Sequence, residues 1–251
     1  MNFPDILKEY SPALVALSGG TDSMTLLASF VKEGLPVSAA TVRSEFTVPE
    51  EITRAEQFAR KLGVEWKVID VSILSDEHLR TNPEDRCYIC KKRIMQTLLA
   101  EADGKTICDG THADDADEER PGKKALKELG IVSPFALSGI GKRGIISMAK
   151  ELGVTIYPPS SCLATRIPFG EEITAENLKK IAESETFLRE KGIRGILRVR
   201  LSGRDAVIET ERDETARAEL YTVDLKTFGF STITFQEYKT GGGNTWSKIE
   251  Q

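Results

Sequence analysis

A doubly wound, mostly parallel α/β sheet followed by a smaller α+β domain is what the residue pattern implies, and three observations carry that reading. Short apolar runs alternate with amphipathic stretches of helical period as far as about residue 157, the pattern of a parallel sheet with crossover helices. A glycine loop, Ser18-Gly19-Gly20, divides the first such strand from the first helix. Beyond Tyr157 the texture changes to Pro158-Pro159-Ser160-Ser161 and then Pro168-Phe169-Gly170, a turn-rich stretch with neither period, which places a boundary near residue 168. The expected domains are 1–167 and 168–251.

Residues 13–17, Ala-Leu-Val-Ala-Leu, read as the first strand, and residues 23–32 as a helix with Met24, Leu27, Ala28 and Val31 on its apolar face. Residues 35–42 form a second strand, 50–62 an amphipathic helix stopped by Gly63, and 64–71 a third strand. A helix over 90–100, a strand over 105–108 ending at Asp109-Gly110, and a helix over 142–152 closed by Gly153 complete the first domain. In the second, Thr174 is the N-cap of a helix that runs to Lys191 and stops at Gly192. Strands 196–201 and 206–210 join through Ser202-Gly203-Arg204-Asp205, and a helix over 213–227 leads to a strand over 231–238, giving α-β-β-α-β. Gly241-Gly242-Gly243-Asn244 reads as a mobile tail.

The chain has 251 residues, 40% hydrophobic and 29% charged, which is ordinary globular usage. Lys+Arg 34 against Asp+Glu 39 leaves a net charge of −5, so the global positive field of a nucleic-acid binder is missing. The first ten residues carry Asp5, Lys8 and Glu9 and lack the basic and apolar regions of a signal peptide. No apolar run approaches the roughly 20 residues of a membrane span. The expectation is a cytoplasmic protein with no membrane role. In that setting Cys87, Cys90, Cys108 and Cys162 suggest metal or redox chemistry rather than disulfides.

Ser18-Gly19-Gly20-Thr21-Asp22-Ser23 lies at the carboxyl end of the first strand, where an open α/β sheet places its ligands. Glycines let the backbone approach phosphate oxygens, the helix N-terminus supplies N–H groups and a positive dipole end, and Ser18, Thr21 and Ser23 add hydroxyls. The loop is neither a Walker A nor a dinucleotide fingerprint. Its acidic Asp22 is best explained by Mg²⁺ bridging to a pyrophosphate.

Cys87 and Cys90 form a C-x-x-C, and Cys162 lies far downstream in Ser161-Cys162-Leu163-Ala164-Thr165-Arg166. With His78 and His112 the sole histidines, a four-ligand zinc ribbon is not available. Three thiolates suit a [4Fe-4S] cluster with one open iron; the alternative is a buried thiol pair and an unrelated loop cysteine. Cys108, inside an apolar strand, reads as a small core residue. Cys162, in a proline-flanked loop rich in hydroxyls and followed by Arg166, sits where a thiolate is favoured. Arg198 and Arg200 alternate with Leu197 and Val199, so both guanidiniums share one strand face, able to fork onto a phosphate or carboxylate or to lie in solvent. Asp109 to Asp115 begin where the fourth strand ends and suit either Mg²⁺ or substrate positioning or a helix cap. Glu209 is a further possible site carboxylate, whereas Glu183 and Glu185 read as an ordinary charged helix face.

The loop Ser18 to Ser23 resembles the signature of the N-type ATP pyrophosphatases, the PP-loop enzymes of adenine nucleotide alpha hydrolase-like fold, which cleave ATP between the α and β phosphates and adenylate an acceptor. Taken with Arg86 to Lys91, Asp109 to Asp115, Arg120-Pro121-Gly122, Ser133-Pro134, Ser161 to Pro168, Leu197 to Arg200 and Ala206 to Glu209, the chain resembles the LarE family of ATP-dependent sulfur transferases, which build a nickel-pincer cofactor. The resemblance implies ATP bound by Ser18, Gly19, Gly20, Thr21, Asp22, Ser23, Gly110 and Thr111, with Mg²⁺. It implies adenylation of a pyridinium dicarboxylate mononucleotide, a small-molecule nucleotide held at Arg198, Arg200 and Glu209, and attack by Cys162 with Asp22 and Arg166 as further catalytic residues. Members with the single cysteine sacrifice its sulfur and end with dehydroalanine; members that also carry the C-x-x-C resemble cluster enzymes fed by sulfide or another sulfur donor, with Cys87, Cys90 and Cys162 as ligands. A homo-oligomer, a hexamer, is also implied. Two other readings use the same residues: a tRNA thiolase, against which the charge of −5 argues, and a non-enzymatic, nucleotide-responsive Fe-S binding protein.

Overall fold

The structure, a computed structural model, describes residues 2–117 and 121–239. In chain order it contains α1 (Phe3–Glu9), β1 (Ala13–Ala16), α2 (Thr21–Lys32), β2 (Val37–Arg43), α3 (Pro49–Leu62), β3 (Trp66–Asp70), α4 (Glu77–Arg80), α5 (Arg86–Ala100), β4 (Thr106–Cys108), α6 (Pro121–Glu128), α7 (Pro134–Leu137), α8 (Lys142–Glu151), α9 (Ala175–Glu190), β5 (Leu197–Ser202), β6 (Asp205–Thr210), α10 (Arg212–Glu219), α11 (Thr222–Lys226) and β7 (Thr232–Glu237). Short 3₁₀ turns occupy Ala113–Asp117 and Leu163–Arg166. The described residues fall into two compact units, one within Met1–Ser44, Pro49–Val71 and Asp85–Tyr157, the other within Glu45–Val48, Ser72–Glu84 and Pro158–Gln251.

The first unit holds a parallel sheet in the order β3-β2-β1-β4. Along β1 the side chains alternate between two cores. Ala13 and Val15 join Leu7, Met24, Leu27, Phe30, Ala59 and Ile145, which come from α1, α2, α3 and α8. Leu14 joins Met95 and Leu98 of α5 and Leu126 of α6. A strand covered on both faces has no polar side, which is why residues 13–17 read as an unbroken apolar run. The order reverses between β1 and β4, so the loops leaving these two neighbours open side by side at the carboxyl edge, the place where such sheets bind ligands.

The second unit is α+β. Thr174 caps α9 by accepting the N–H of Asn177 at 3.1 Å. β5 and β6 form a tight antiparallel hairpin, and β7 adds to β6 in parallel after the α10–α11 crossover. The helix expected over 213–227 is broken at Leu220-Tyr221, where Tyr221 turns its ring edge-on to Phe187 of α9 at 5.9 Å.

Residues 158–167, expected in the first domain, pack with the second unit, as do 45–48 and 72–84. Backbone bonding explains it: the Leu163 N–H donates to the Phe46 carbonyl at 2.8 Å, and Arg198 donates to the Pro159 carbonyl at 2.7 Å. α5 starts at Arg86 rather than at residue 90, and α1, α4, α6 and α7 have no counterpart in the sequence reading. Arg120 and the glycine tail from Gly241 lie outside the described residues. Among those described, no helix is long and apolar enough to cross a membrane.

Candidate active site

The glycine loop closes onto α2 through its own polar groups. Gly19 has a φ of +75°, and a Cβ there would run into the backbone carbonyl of Glu51, so the turn requires glycine. The Ser23 hydroxyl accepts the Ser18 N–H at 3.1 Å and donates to the Gly20 carbonyl at 3.2 Å. Thr21 is buried and its Oγ1 accepts the N–H of Tyr157 at 3.0 Å. Ser23 and Thr21, expected to face a phosphate, therefore hold the loop in shape, while Ser18 is exposed. α2 begins at Thr21, two residues before its expected start, with Gly20 as an N-cap that offers no side-chain bond. Its first-turn N–H groups and dipole form the anion-attracting feature.

Asp22 projects from this turn and pairs with Lys142 Nζ at 2.5 Å, both side chains being partly exposed. Lys142 opens α8, and its N–H donates to Asp114 at 2.6 Å. Asp109 is buried and accepts from the Thr111 N–H at 3.3 Å, the Thr111 hydroxyl at 2.7 Å and the Ser133 hydroxyl at 2.6 Å, with Lys91 Nζ at 3.6 Å. Gly110 approaches α2 so closely that a Cβ would stand 2.9 Å from the Ser23 nitrogen. The Asp109–Asp115 loop thus braces the glycine loop and caps α8, and Thr111 spends its hydroxyl on Asp109. Asp22 is the acidic side chain of the glycine loop itself and is partly exposed.

Cys87 and Cys90 are three apart on the first turn of α5 and share one face, both half-buried. The Arg86 guanidinium, itself buried, lies 4.0 Å from the Cys87 sulfur. Cys108 is a core residue of β4 whose thiol burial, helped by Asp109, pushes up to about 12, which makes it inert. Cys162 belongs to the other unit, half-buried at the N-cap of the 3₁₀ turn. Among the described residues no three or more His, Cys, Asp or Glu side chains are gathered as a metal site.

Around Cys162 the second unit builds a buried polar layer. The Cys162 carbonyl accepts the Thr165 N–H at 3.0 Å, the Thr165 hydroxyl at 2.7 Å and Arg166 at 3.3 Å. Arg166 is 1% exposed and also donates to the Ser161 carbonyl at 3.0 Å and hydroxyl at 2.7 Å. Its far edge forks onto Glu185 of α9 at 2.8 and 3.1 Å. Arg198 and Arg200 do share a strand face, opposite Glu209 and Val207 of β6. Arg200 donates to Glu209 at 2.7 Å and to the Thr165 carbonyl at 3.1 Å, and Glu209 also accepts from Gln236 at 2.9 Å. Arg198 donates to the carbonyls of Leu197 and Pro159 at 2.9 and 2.7 Å. Burial, with Arg166 close by, pulls the Arg198 guanidinium down to about 10, against the opposing pull of Glu185.

A family model described as Queuosine biosynthesis protein QueC matches residues 12–97, the strand, glycine loop and following elements. The chain is 39% identical over 226 residues to an uncharacterized protein of Methanocaldococcus jannaschii, covering 88% of this chain and 87% of that one. It is 31% identical over 211 residues to the pyridinium-3,5-bisthiocarboxylic acid mononucleotide synthase of Lactiplantibacillus plantarum, covering 81% of this chain and 76% of that enzyme. The chain belongs to the LarE family. In fold it is similar to NMN synthetase from Francisella tularensis, with a TM-score of 0.51 and 19% identity over 63% of this chain and 72% of that one. This LarE-family protein is an ATP-using PP-loop enzyme whose general chemistry is adenylation and sulfur transfer.

Within the LarE-family chain, sequence reasoning missed Lys142 and misjudged Glu185. Lys142 lies too far along the chain from Asp22 for any motif spacing to connect them. Glu183 is an exposed helix charge paired with Lys179, as expected, but Glu185, two residues on, is buried under Arg166 and also accepts the Val199 N–H at 2.9 Å. Arg166, expected beside the thiol as a catalytic group, instead supports its loop from within the core. Replacing Arg166 with alanine strands the Glu185 charge, so it should cost about 3–5 kcal/mol of stability, read as a lower urea midpoint.

Proposed function

We propose that the protein adenylates a carboxylate of a pyridinium dicarboxylate mononucleotide and replaces an oxygen of that group with sulfur. The observation that carries this reading is the presentation of Cys162. Its carbonyl is pinned by three donors, on a loop anchored through Arg166 to Glu185, while the side chain stays half-exposed. A nucleophile fixed in this way loses little freedom on reaching its acceptor.

In the first step a substrate carboxylate oxygen attacks the α-phosphorus of ATP, the bond to the β-phosphate oxygen breaks, and pyrophosphate leaves. Asp22 would hold Mg²⁺ against the pyrophosphate, and the N-terminus of α2 would receive its oxygens. Lys142, which pairs with Asp22 at the mouth of the same loop, would meet the phosphate oxygens. In the second step the Cys162 thiolate attacks the acyl carbon and AMP leaves, forming a thioester. Arg198 would bind the substrate's phosphate or carboxylate, with Arg200, on the same strand face, held by Glu209.

Cys87, Cys90 and Cys162 would hold a [4Fe-4S] cluster, a reading supported by the donor chemistry of three soft thiolates. When bound, such a cluster would supply sulfide at an open iron as the nucleophile that displaces AMP, in place of the Cys162 thioester step, and Cys162 would keep its sulfur. A second reading uses Cys162 alone, as the thiol of the Ser161–Arg166 loop. There the Cβ–Sγ bond of Cys162 breaks with loss of the α-proton, leaving dehydroalanine. Phosphorus NMR of ATP with pyridinium-3,5-dicarboxylic acid mononucleotide tests the shared chemistry: AMP and pyrophosphate are expected, and ADP with phosphate would overturn it.

A further inference from the structure

The Cys162 loop is held at both ends by segments that come from far earlier in the chain. Upstream, the N–H of Leu163, the residue after Cys162, donates to the Phe46 carbonyl at 2.8 Å. Downstream, the Asn82 amide donates to the Ile167 carbonyl at 3.1 Å and the Pro168 carbonyl at 2.6 Å, and the Asn82 carbonyl accepts the Gly170 N–H at 3.0 Å. Two residues before Asn82, the Arg80 carbonyl accepts the Ile173 N–H at 2.8 Å. The two clasping segments are themselves joined, because Glu45 accepts the Ser72 hydroxyl at 2.7 Å and the Ile73 N–H at 2.8 Å. Glu45–Val48 follows β2, and Ser72–Glu84 follows β3 and contains α4.

Asn82 is the side chain that makes this clasp specific. It is fully buried, and its φ of +56° lies in the left-handed region, which asparagine tolerates better than most residues. The amide NH₂ donates to two consecutive carbonyls, so it fixes the direction in which the chain leaves the 3₁₀ turn. Arg166 sits one residue before Ile167, so a change in the exit direction moves the guanidinium that pins the Cys162 carbonyl.

We infer that Asn82 is a positioning residue for sulfur transfer, setting the reach of Cys162 through the 167–170 backbone without touching substrate. The inference rests on the proposed role of Cys162. It separates the two half-reactions: adenylation needs the glycine loop of the first unit, whereas thioester formation needs Cys162 in one place.

Asn82→Gly keeps the left-handed backbone and deletes both amide bonds. Asn82→Asp keeps the shape and sets a carboxylate oxygen against two carbonyls. With ATP and pyridinium-3,5-dicarboxylic acid mononucleotide, both variants should release pyrophosphate within about twofold of the unsubstituted enzyme, while thiolated product per pyrophosphate falls about tenfold. An unchanged ratio, or an equal fall in both steps, would overturn the inference, since a merely structural role lowers both together. Hydrogen exchange on the unsubstituted protein provides a readout independent of how the variants fold. The Leu163, Gly170 and Ile173 amides should be protected, and exchange at unfolded-chain rates would contradict the clasp. If the unsubstituted enzyme releases no pyrophosphate, it is the proposed function that fails.

Discussion

Asp22→Ala should lower pyrophosphate release by about 10²- to 10³-fold, because the variant loses the carboxylate proposed to hold a cation at the glycine loop. The fold should survive. The pair with Lys142 is partly exposed on both sides, and such a pair contributes about 0–1 kcal/mol, so the thermal midpoint should move by no more than about 4 °C. Asp22→Asn is the sharper probe, since it keeps the shape and removes only the charge. Turnover within about threefold of the unsubstituted enzyme in either variant would show that the phosphate loop works without a metal-binding carboxylate. Lys142→Ala should leave the fold intact while slowing the same step, with adenylation measured by exchange of labelled pyrophosphate into ATP.

Cys162→Ser should abolish thiolated product altogether while pyrophosphate exchange continues, because a serine hydroxyl cannot supply or carry sulfur. The other cysteines separate the two sulfur routes. If three thiolates hold a cluster, Cys87→Ser and Cys90→Ser each lose the brown chromophore of anaerobically reconstituted protein and most of the product, and Cys162 is intact after many turnovers. If Cys162 gives up its own sulfur, those variants retain activity for a single turnover and peptide mass spectrometry finds dehydroalanine at position 162. Cys108→Ser should change neither result, since that thiol is packed into β4 and pushed up to about 12 by burial.

The parts of the fold that could be read from the sequence are those fixed by local periodicity. The buried strands β1 and β2, the helices stopped by Gly63, Gly153 and Gly192, and the Thr174 cap follow from patterns spanning a few residues. The glycine loop was legible for the same reason, since its chemistry lies within Ser18 to Ser23. What escaped was set by long-range pairing. α6 and α7 are too short to show a period, and the α10–α11 break depends on where Phe187 presents its ring. Glu185 looks like any helix-face charge until Arg166 arrives from a loop 19 residues earlier. The residues that brace Cys162 belong to segments 45–48 and 72–84, which in sequence look like ordinary connections after β2 and β3. Arg198 and Arg200 were placed on one face by alternation, but that Glu209 and backbone carbonyls occupy their forks depends on the register of β5 with β6.

The central claim is that ATP cleavage drives sulfur onto the nucleotide. Its most direct test is mass spectrometry of pyridinium-3,5-dicarboxylic acid mononucleotide after anaerobic incubation with enzyme, ATP, Mg²⁺ and sulfide. The account predicts a product in which sulfur replaces a carboxylate oxygen, formed in step with AMP. AMP accumulating while the nucleotide keeps its mass would contradict it.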